Sequence, residues 1–433
     1  MSFHSIGEAV ENKMMPLANK MGTQRHLSAI RDAFITLLPI NLTGGVVAIL
    51  KSPPITETTT NKFLLGWADW VASNELIFSW LYAFTLGAMS LYICMGVTHF
   101  LCKYYQLETF IPMMFATLGF MLVATVPVEL GYAAKTLDFT YIDGKGIIPA
   151  LLIAFLTSEL YALMKRKNFG RIKMPDSVPA SLSEVFASLV PGMVLIGLYG
   201  VIFIVFHKIG TPFPKFLFQL LTPALHAADS LPSVIFITVI THIFWFFGLH
   251  DAALSGIVGP LRDGNLSINA TAQVAGETLP HIFTTPFYVY FIVIGGSGAV
   301  LGLAFFLLFA KSKQLKVLGR IGILPSFFGI SEPLIFGIPL MLNPLFFIPF
   351  ICAPTFNAIV AYVLTKIGLL DRTFSMLSWN MPSLIGGFFS TLDVKSIVII
   401  VGLTVVNALM YYPFLKIYDR QLVAKENESI EKD

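Results

Sequence analysis

The chain is built from apolar runs long enough to cross a lipid bilayer. A helix spanning the hydrocarbon core needs about 20 mostly apolar residues. Such runs lie at 28–50, 76–100, 108–131, 145–165, 189–208, 232–250, 284–310, 341–366 and 394–417. Between them are apolar stretches that are shorter or interrupted by glycine and proline, at 213–228, 251–262, 321–340 and 374–392. Only 12% of the 433 residues are charged and 56% are hydrophobic, whereas a soluble domain carries about 25% charged residues. So few charges cannot cover this much apolar surface in water. The fold class is therefore all-α polytopic membrane protein. A soluble enzyme, a nucleic-acid binder and a disordered regulator are excluded, and membrane lipid is the surrounding medium.

The side of each loop follows from basic residues in short connections. Lys165, Arg166, Lys167, Arg171 and Lys173 follow the fourth run; Lys311, Lys313, Lys316 and Arg320 follow the seventh. Lys416 and Arg420 follow the last, and Lys13, Lys20 and Arg25 precede the first. All four clusters read as cytoplasmic, which puts both termini inside. The acid-bearing loops 51–75 and 132–144 read as external. Two inside termini require an even number of crossings. Nine clear runs are odd, so a broken segment also crosses or the second half contains hairpins.

This divides the chain into a regular first part (1–165), a basic, turn-rich and then amphipathic cytoplasmic linker (166–190), a second transmembrane part with irregular backbone (191–420) and a cytoplasmic tail (421–433). The opening residues lack the short apolar core and cleavage site of a secretory signal. Spaced Ile6, Val10, Met14, Leu17 and Met21 fit an amphipathic helix on the membrane surface or a short cytosolic lead helix. The net charge of +3 is too small to bear on an anionic partner. Cys94, Cys102 and Cys352 match no metal or disulfide pattern. No phosphate-binding glycine loop is present, and no cofactor or metal is called for. GGSGAVLG at 295–302, inside the seventh run, reads as close helix packing.

Two stretches combine helix breakers with polar groups at membrane depth. Broken backbone there is tolerated only where protein buries it or where it lines a wet cavity. In FFGISEPLIFGIPLMLNP (327–344), Glu332 stands between Ser331 and Pro333 with apolar residues on both sides. An ionisable residue so placed is a functional-site candidate, and no neighbouring Lys or Arg offers it a purely structural pairing. In THIFWFFGLHDAALSGIVGPL (241–261), His250 ends a bulky apolar run and Asp251 follows. His242, near the same helical face, reads as a core histidine. Trp245 and Trp379 stand beside breaks and can stack on the apolar faces of a sugar, while Trp379 equally suits an interfacial anchor. Ser331, Asn343 and Asn380 can hydrogen-bond to its hydroxyls.

These segments resemble enzyme IIC, the membrane component of the bacterial sugar phosphotransferase system, in its lactose/cellobiose/diacetylchitobiose group. The resemblance rests on IKMPDSVPASLSEVFASLVPG (172–192), FWFFGLH (244–250), GISEPLIFGIPLMLNPLFFIPF (329–350), PSLIGGFFS (382–390) and, less specifically, HLSAIRDAFITLLPINLTGG (26–45). It implies about ten transmembrane helices with re-entrant hairpins, a homodimer formed through the first half, and a sugar-binding second half that moves across the membrane. By resemblance, Glu332 and His250 meet the hydroxyl that becomes phosphorylated. Trp245, Asp251, Ser331, Trp379, Asn380 and Asn343 are the further substrate-binding candidates. The sequence departs from the family pattern at three places beside this site: Asp251 replaces a usual glycine, Ser331 a usual asparagine, and SWNMPSLIGG a proline- and threonine-rich run.

The resemblance further implies a disaccharide permease that presents a primary hydroxyl to a phosphocysteine on a separate cytoplasmic IIB protein, itself charged by IIA. Phosphoryl transfer then occurs only together with that partner. The clusters 165–173 and 311–320 are candidate docks for it, or determinants of topology alone. Two other readings fit the same residues. One is a proton-coupled secondary sugar transporter with Glu332 as the proton carrier. The other is a sugar-sensing membrane protein that has lost catalysis.

Overall fold

The computed structural model describes residues 23–53, 55, 59–129, 135–172, 174–175, 179–248, 252–338 and 340–430. The surface helix expected before residue 22, and the pair His250 and Asp251, lie outside them. The regular structure of the described residues is helical apart from a two-stranded antiparallel hairpin, β1 (Val126–Glu129) with β2 (Lys135–Asp138), in the register Val126 to Asp138. The helix of the expected third run therefore stops short, at Ala124. Among the described residues, five helical segments are long and apolar enough to cross a membrane: Glu75–Tyr104, Gly144–Arg166, Leu182–Ile209, Pro344–Lys366 and Lys395–Asn427. A sixth forms if α1 (Arg25–Thr36) and α2 (Leu38–Lys51), bent by 49° at their junction, count as one span.

Local chemistry sets the helix ends. Gln24 caps α1 by accepting from the Leu27 N–H at 2.7 Å. The helix Ala180–Ile209 starts directly after Pro179 and stops at Gly210, whose φ of +76° is the left-handed conformation glycine supplies at a helix C-terminus. Lys208 lies in its last turn, where a cation suits the carbonyl end of the dipole. This helix runs through position 190 without a break.

Buried apolar side chains form separate clusters. The first draws on residues from Ala29 to Tyr199, with Ala270 and Phe374 added. Within it, the Tyr199 ring fills the space a side chain at Gly119 would need, and its hydroxyl shares a 2.6 Å hydrogen bond with Thr157. Two further clusters come from residues 234–403 and 245–415. The helix Ala252–Val274 ties these sets together. A Cβ on its Gly256 would lie 2.5 Å from the Leu27 carbonyl oxygen of α1, so only glycine allows the two backbones to meet so closely.

The expected seventh run, 284–310, is corrected by the structure. It is not one helix. A single turn at Thr285–Phe287 passes into a wide π-turn at Tyr288–Ile292, the chain unwinds, and helix resumes only at Leu301–Leu307. Gly295, Gly296 and Gly298 have φ of +83°, +99° and +84°, values closed to most L-residues. The glycines of GGSGAVLG therefore make a break, whereas an apolar glycine run equally suits two tightly packed helices. In the second broken segment the helix Lys313–Phe327 stops before Gly329 (φ +77°), a short helix covers Glu332–Gly337, and the next helix begins at Pro344.

Candidate functional site

The two breaks meet. A Cβ on Gly296 would fall 2.6 Å from the Ser331 Cβ, so the unwound 293–300 backbone lies directly on the turn that leads into Glu332. Beside this crossing opens a cavity of about 390 Å³, within the roughly 300–1,000 Å³ of small-molecule sites. Glu332 and Ser331 line one part of it together with Gly296 and Ser297. Ser331 is buried and Glu332 half-buried, as the first residue of its short helix, where Pro333 lacks an N–H that would otherwise need a partner.

Trp245, Trp379 and Asn380 also line this cavity. Trp245 is buried near the C-terminus of the helix Leu231–Phe246, and Trp379 is half-buried in the loop before Ser383. Aromatic walls with a few convergent polar groups are the composition expected of a site for a small polar ligand with apolar faces. The segment leading toward His250 packs beside the turn that follows the Glu332 helix. The Leu342 N–H donates to the Phe246 carbonyl at 3.0 Å, and a Cβ on Gly248 would touch the Met341 methyl at 3.5 Å.

Asn343 is brought elsewhere. Its side chain accepts from the Leu345 N–H at 3.1 Å and caps the helix Pro344–Lys366, and it does not line the cavity. An asparagine before a proline that opens a long helix is a capping signature, and that signal was present in the sequence. Asn343→Ala is expected to destabilise the protein by about 1 kcal/mol, measured by unfolding in detergent, with sugar affinity unchanged. A large loss of affinity would return Asn343 to the binding surface. His242 is buried, with Nδ1 2.7 Å from the Thr238 carbonyl oxygen, a hydrogen bond within its own helix.

Several cavity residues were missed by sequence reasoning. From α1 come Arg31, Phe34 and Ile35, so the first part of the chain supplies one wall. Arg31 Nε donates to Asp32 Oδ1 at 2.9 Å. From the helix Ala252–Val274 come Ser255, Gly259, Arg262 and Asp263. The Arg–Asp pair inside IVGPLRDGNLS was a legible signal, since charges within an apolar stretch mark candidate sites.

Comparison with known proteins decides the family. The family model described as "Phosphotransferase system, EIIC" matches residues 31–354. The chain belongs to the EIIC family. This EIIC is 34% identical to the putative permease IIC component YwbA of Bacillus subtilis (strain 168), over 96% of each chain. It is 31% identical to the lactose-specific EIICB component of Streptococcus mutans serotype c, covering 96% of this chain and 73% of that protein. The crystal structure of the transporter ChbC, the IIC component from the N,N'-diacetylchitobiose-specific phosphotransferase system, matches with a TM-score of 0.87 at 29% identity, over 96% of this chain and 99% of that one. Membrane embedding follows from the family and from helices apolar enough to cross a bilayer.

Proposed function

We propose that this EIIC takes up a disaccharide of the lactose, cellobiose or diacetylchitobiose type and presents its primary hydroxyl to a cytoplasmic phosphocysteine IIB. The observation that carries the reading is Glu332, held at the crossing of two broken membrane segments on the wall of an aromatic cavity. Glu332 accepts the proton of the attacking hydroxyl, and His250 hydrogen-bonds the same oxygen. Phosphoryl transfer needs mainly positioning and charge management, which the converging backbone breaks suit. The added phosphate makes the product anionic and traps it inside.

The IIB partnership is supported by the EIICB relative, whose name joins the two components and whose length exceeds the matched part. In this reading the first half forms the homodimer, about ten segments cross the membrane, and both termini are cytoplasmic. The second half carries the sugar past the first. A cavity walled on one side by α1 and on the other by residues 245–383 is what such relative motion would open and close.

The test is uptake into proteoliposomes. Labelled cellobiose, lactose and diacetylchitobiose are supplied outside, with phosphorylated IIB inside or absent. Accumulation of a phosphosugar that depends on IIB is expected. Accumulation of free sugar driven by a pH gradient without IIB would replace this reading with proton coupling.

A further inference from the structure

Arg262 is a cation buried without its full set of partners. Its side chain is 7% exposed, its guanidinium carbon lies 4.3 Å from the centre of the Tyr288 ring, and its Nε has no hydrogen-bond partner among the described residues. A buried donor left unpaired costs about 1–3 kcal/mol, more when charged, unless a ligand completes it. Asp263 stands beside it. Its Oδ1 accepts from the Thr285 hydroxyl, while Oδ2 lies toward Gly259, where an added Cβ would have that oxygen, at 4.0 Å, as its only near neighbour among the described residues outside its own helix backbone. A cation and a carboxylate thus face one cavity next to open space.

This pair and Glu332 line the same cavity but pack against different parts of the 285–297 segment. The wall formed by 285–297 begins at Thr285 and Tyr288, against Asp263 and Arg262, and ends at Gly296, against Ser331. On the helix Ala252–Val274, Ser255, Gly259 and Arg262 follow at the i, i+4, i+7 spacing of one face. At about 1.5 Å per residue that face extends the cavity wall by roughly 10 Å, more than one pyranose ring spans.

We infer that Arg262 and Asp263 form the recognition end for the sugar ring that is not phosphorylated. The guanidinium donates to, and the carboxylate accepts from, neighbouring hydroxyls of that ring, with Tyr288 held behind the guanidinium. Hydroxyls both donate and accept, so an Arg–Asp pair satisfies two of them where two like groups would not. The pair selects disaccharides over single sugars. This rests on the sugar-site reading above.

The experiment measures affinities of purified full-length protein for cellobiose, lactose and diacetylchitobiose, and for the methyl β-glycoside of each terminal sugar, in wild type, Asp263→Asn and Arg262→Lys. Asn keeps an oxygen that can accept from Thr285, and Lys keeps the charge but not the fork. For the disaccharide that wild type binds, each substitution is expected to weaken affinity about tenfold to a hundredfold, with the methyl glycoside changed less than about twofold. Equal weakening of both ligands, or disaccharide affinity within about twofold of wild type in both variants, overturns the inference. Binding of none of these sugars by wild type would sink the sugar-site reading itself, which an unchanged disaccharide affinity in the variants would leave standing.

Discussion

Glu332→Gln is expected to leave sugar affinity within a few fold of wild type and to lower IIB-dependent phosphorylation by about 10²–10⁴-fold. Glutamine keeps the length, the planar head and one accepting oxygen, so the hydrogen bond that holds the hydroxyl survives. It cannot take the proton that the hydroxyl sheds as phosphorus is transferred. A base also has to be in reach. Glu332→Asp keeps the carboxylate but withdraws it by one methylene, and a misplacement of about 1 Å can cost about 10²-fold. Glu332 is held by Pro333 after it and by the buried Ser331 before it, backed against the Gly296 backbone, so the shorter side chain has little freedom to compensate. Direct binding measurements alongside single-turnover transfer from phosphorylated IIB separate the two effects. Phosphorylation at the normal rate in Glu332→Gln would remove Glu332 from the proton-accepting role. Loss of binding in parallel with transfer would make it a binding group only.

The broad fold was legible because hydrophobicity leaves a membrane protein few options: backbone in lipid must pair with itself. The Glu332 segment was legible for the same reason, since a carboxylate and four helix breakers inside an apolar stretch have no bland explanation. The 285–297 segment was not. Its glycines sit in an uninterrupted apolar run, and glycine in such a run serves a tight helix contact as well as a left-handed turn. Only the contact with Ser331, distant in sequence, decides between them. Asn343 lies outside the cavity lining for the opposite reason. Its hydrogen-bonding capacity suits a sugar, but its place before Pro344 lets the local backbone claim it first. The share of α1 in the cavity wall depends on a tertiary approach between Gly256 and Leu27 that nothing local encodes.

Gly296→Ala probes whether the crossing of the two breaks positions Glu332. Two costs add. The φ of +99° is one that L-residues avoid, a penalty of about 1–2 kcal/mol for a residue with a Cβ. The methyl would also lie 2.6 Å from Ser331 Cβ, 2.7 Å from its Oγ and 2.8 Å from its backbone nitrogen, and overpacking of this kind costs about 1–3 kcal/mol. Gly276→Ala separates the two terms. Gly276 has φ +71°, and a methyl added there would meet no atom of the described residues within 4 Å, so it carries the backbone penalty alone. Gly296→Ala is therefore expected to destabilise by about 2–5 kcal/mol and Gly276→Ala by about 1–2 kcal/mol, read from unfolding in mixed detergent micelles. The clash is relieved by pushing the 331–332 turn away from the cavity, so the folded fraction of Gly296→Ala should also phosphorylate sugar about 10²-fold more slowly. Adding Ser331→Gly removes the two closest contacts and leaves the backbone nitrogen, so the double variant should recover part of both losses, a coupling that independent sites do not show. If Gly296→Ala is as mild as Gly276→Ala, or if Ser331→Gly restores nothing, the contact between the two broken segments does not hold the carboxylate in place.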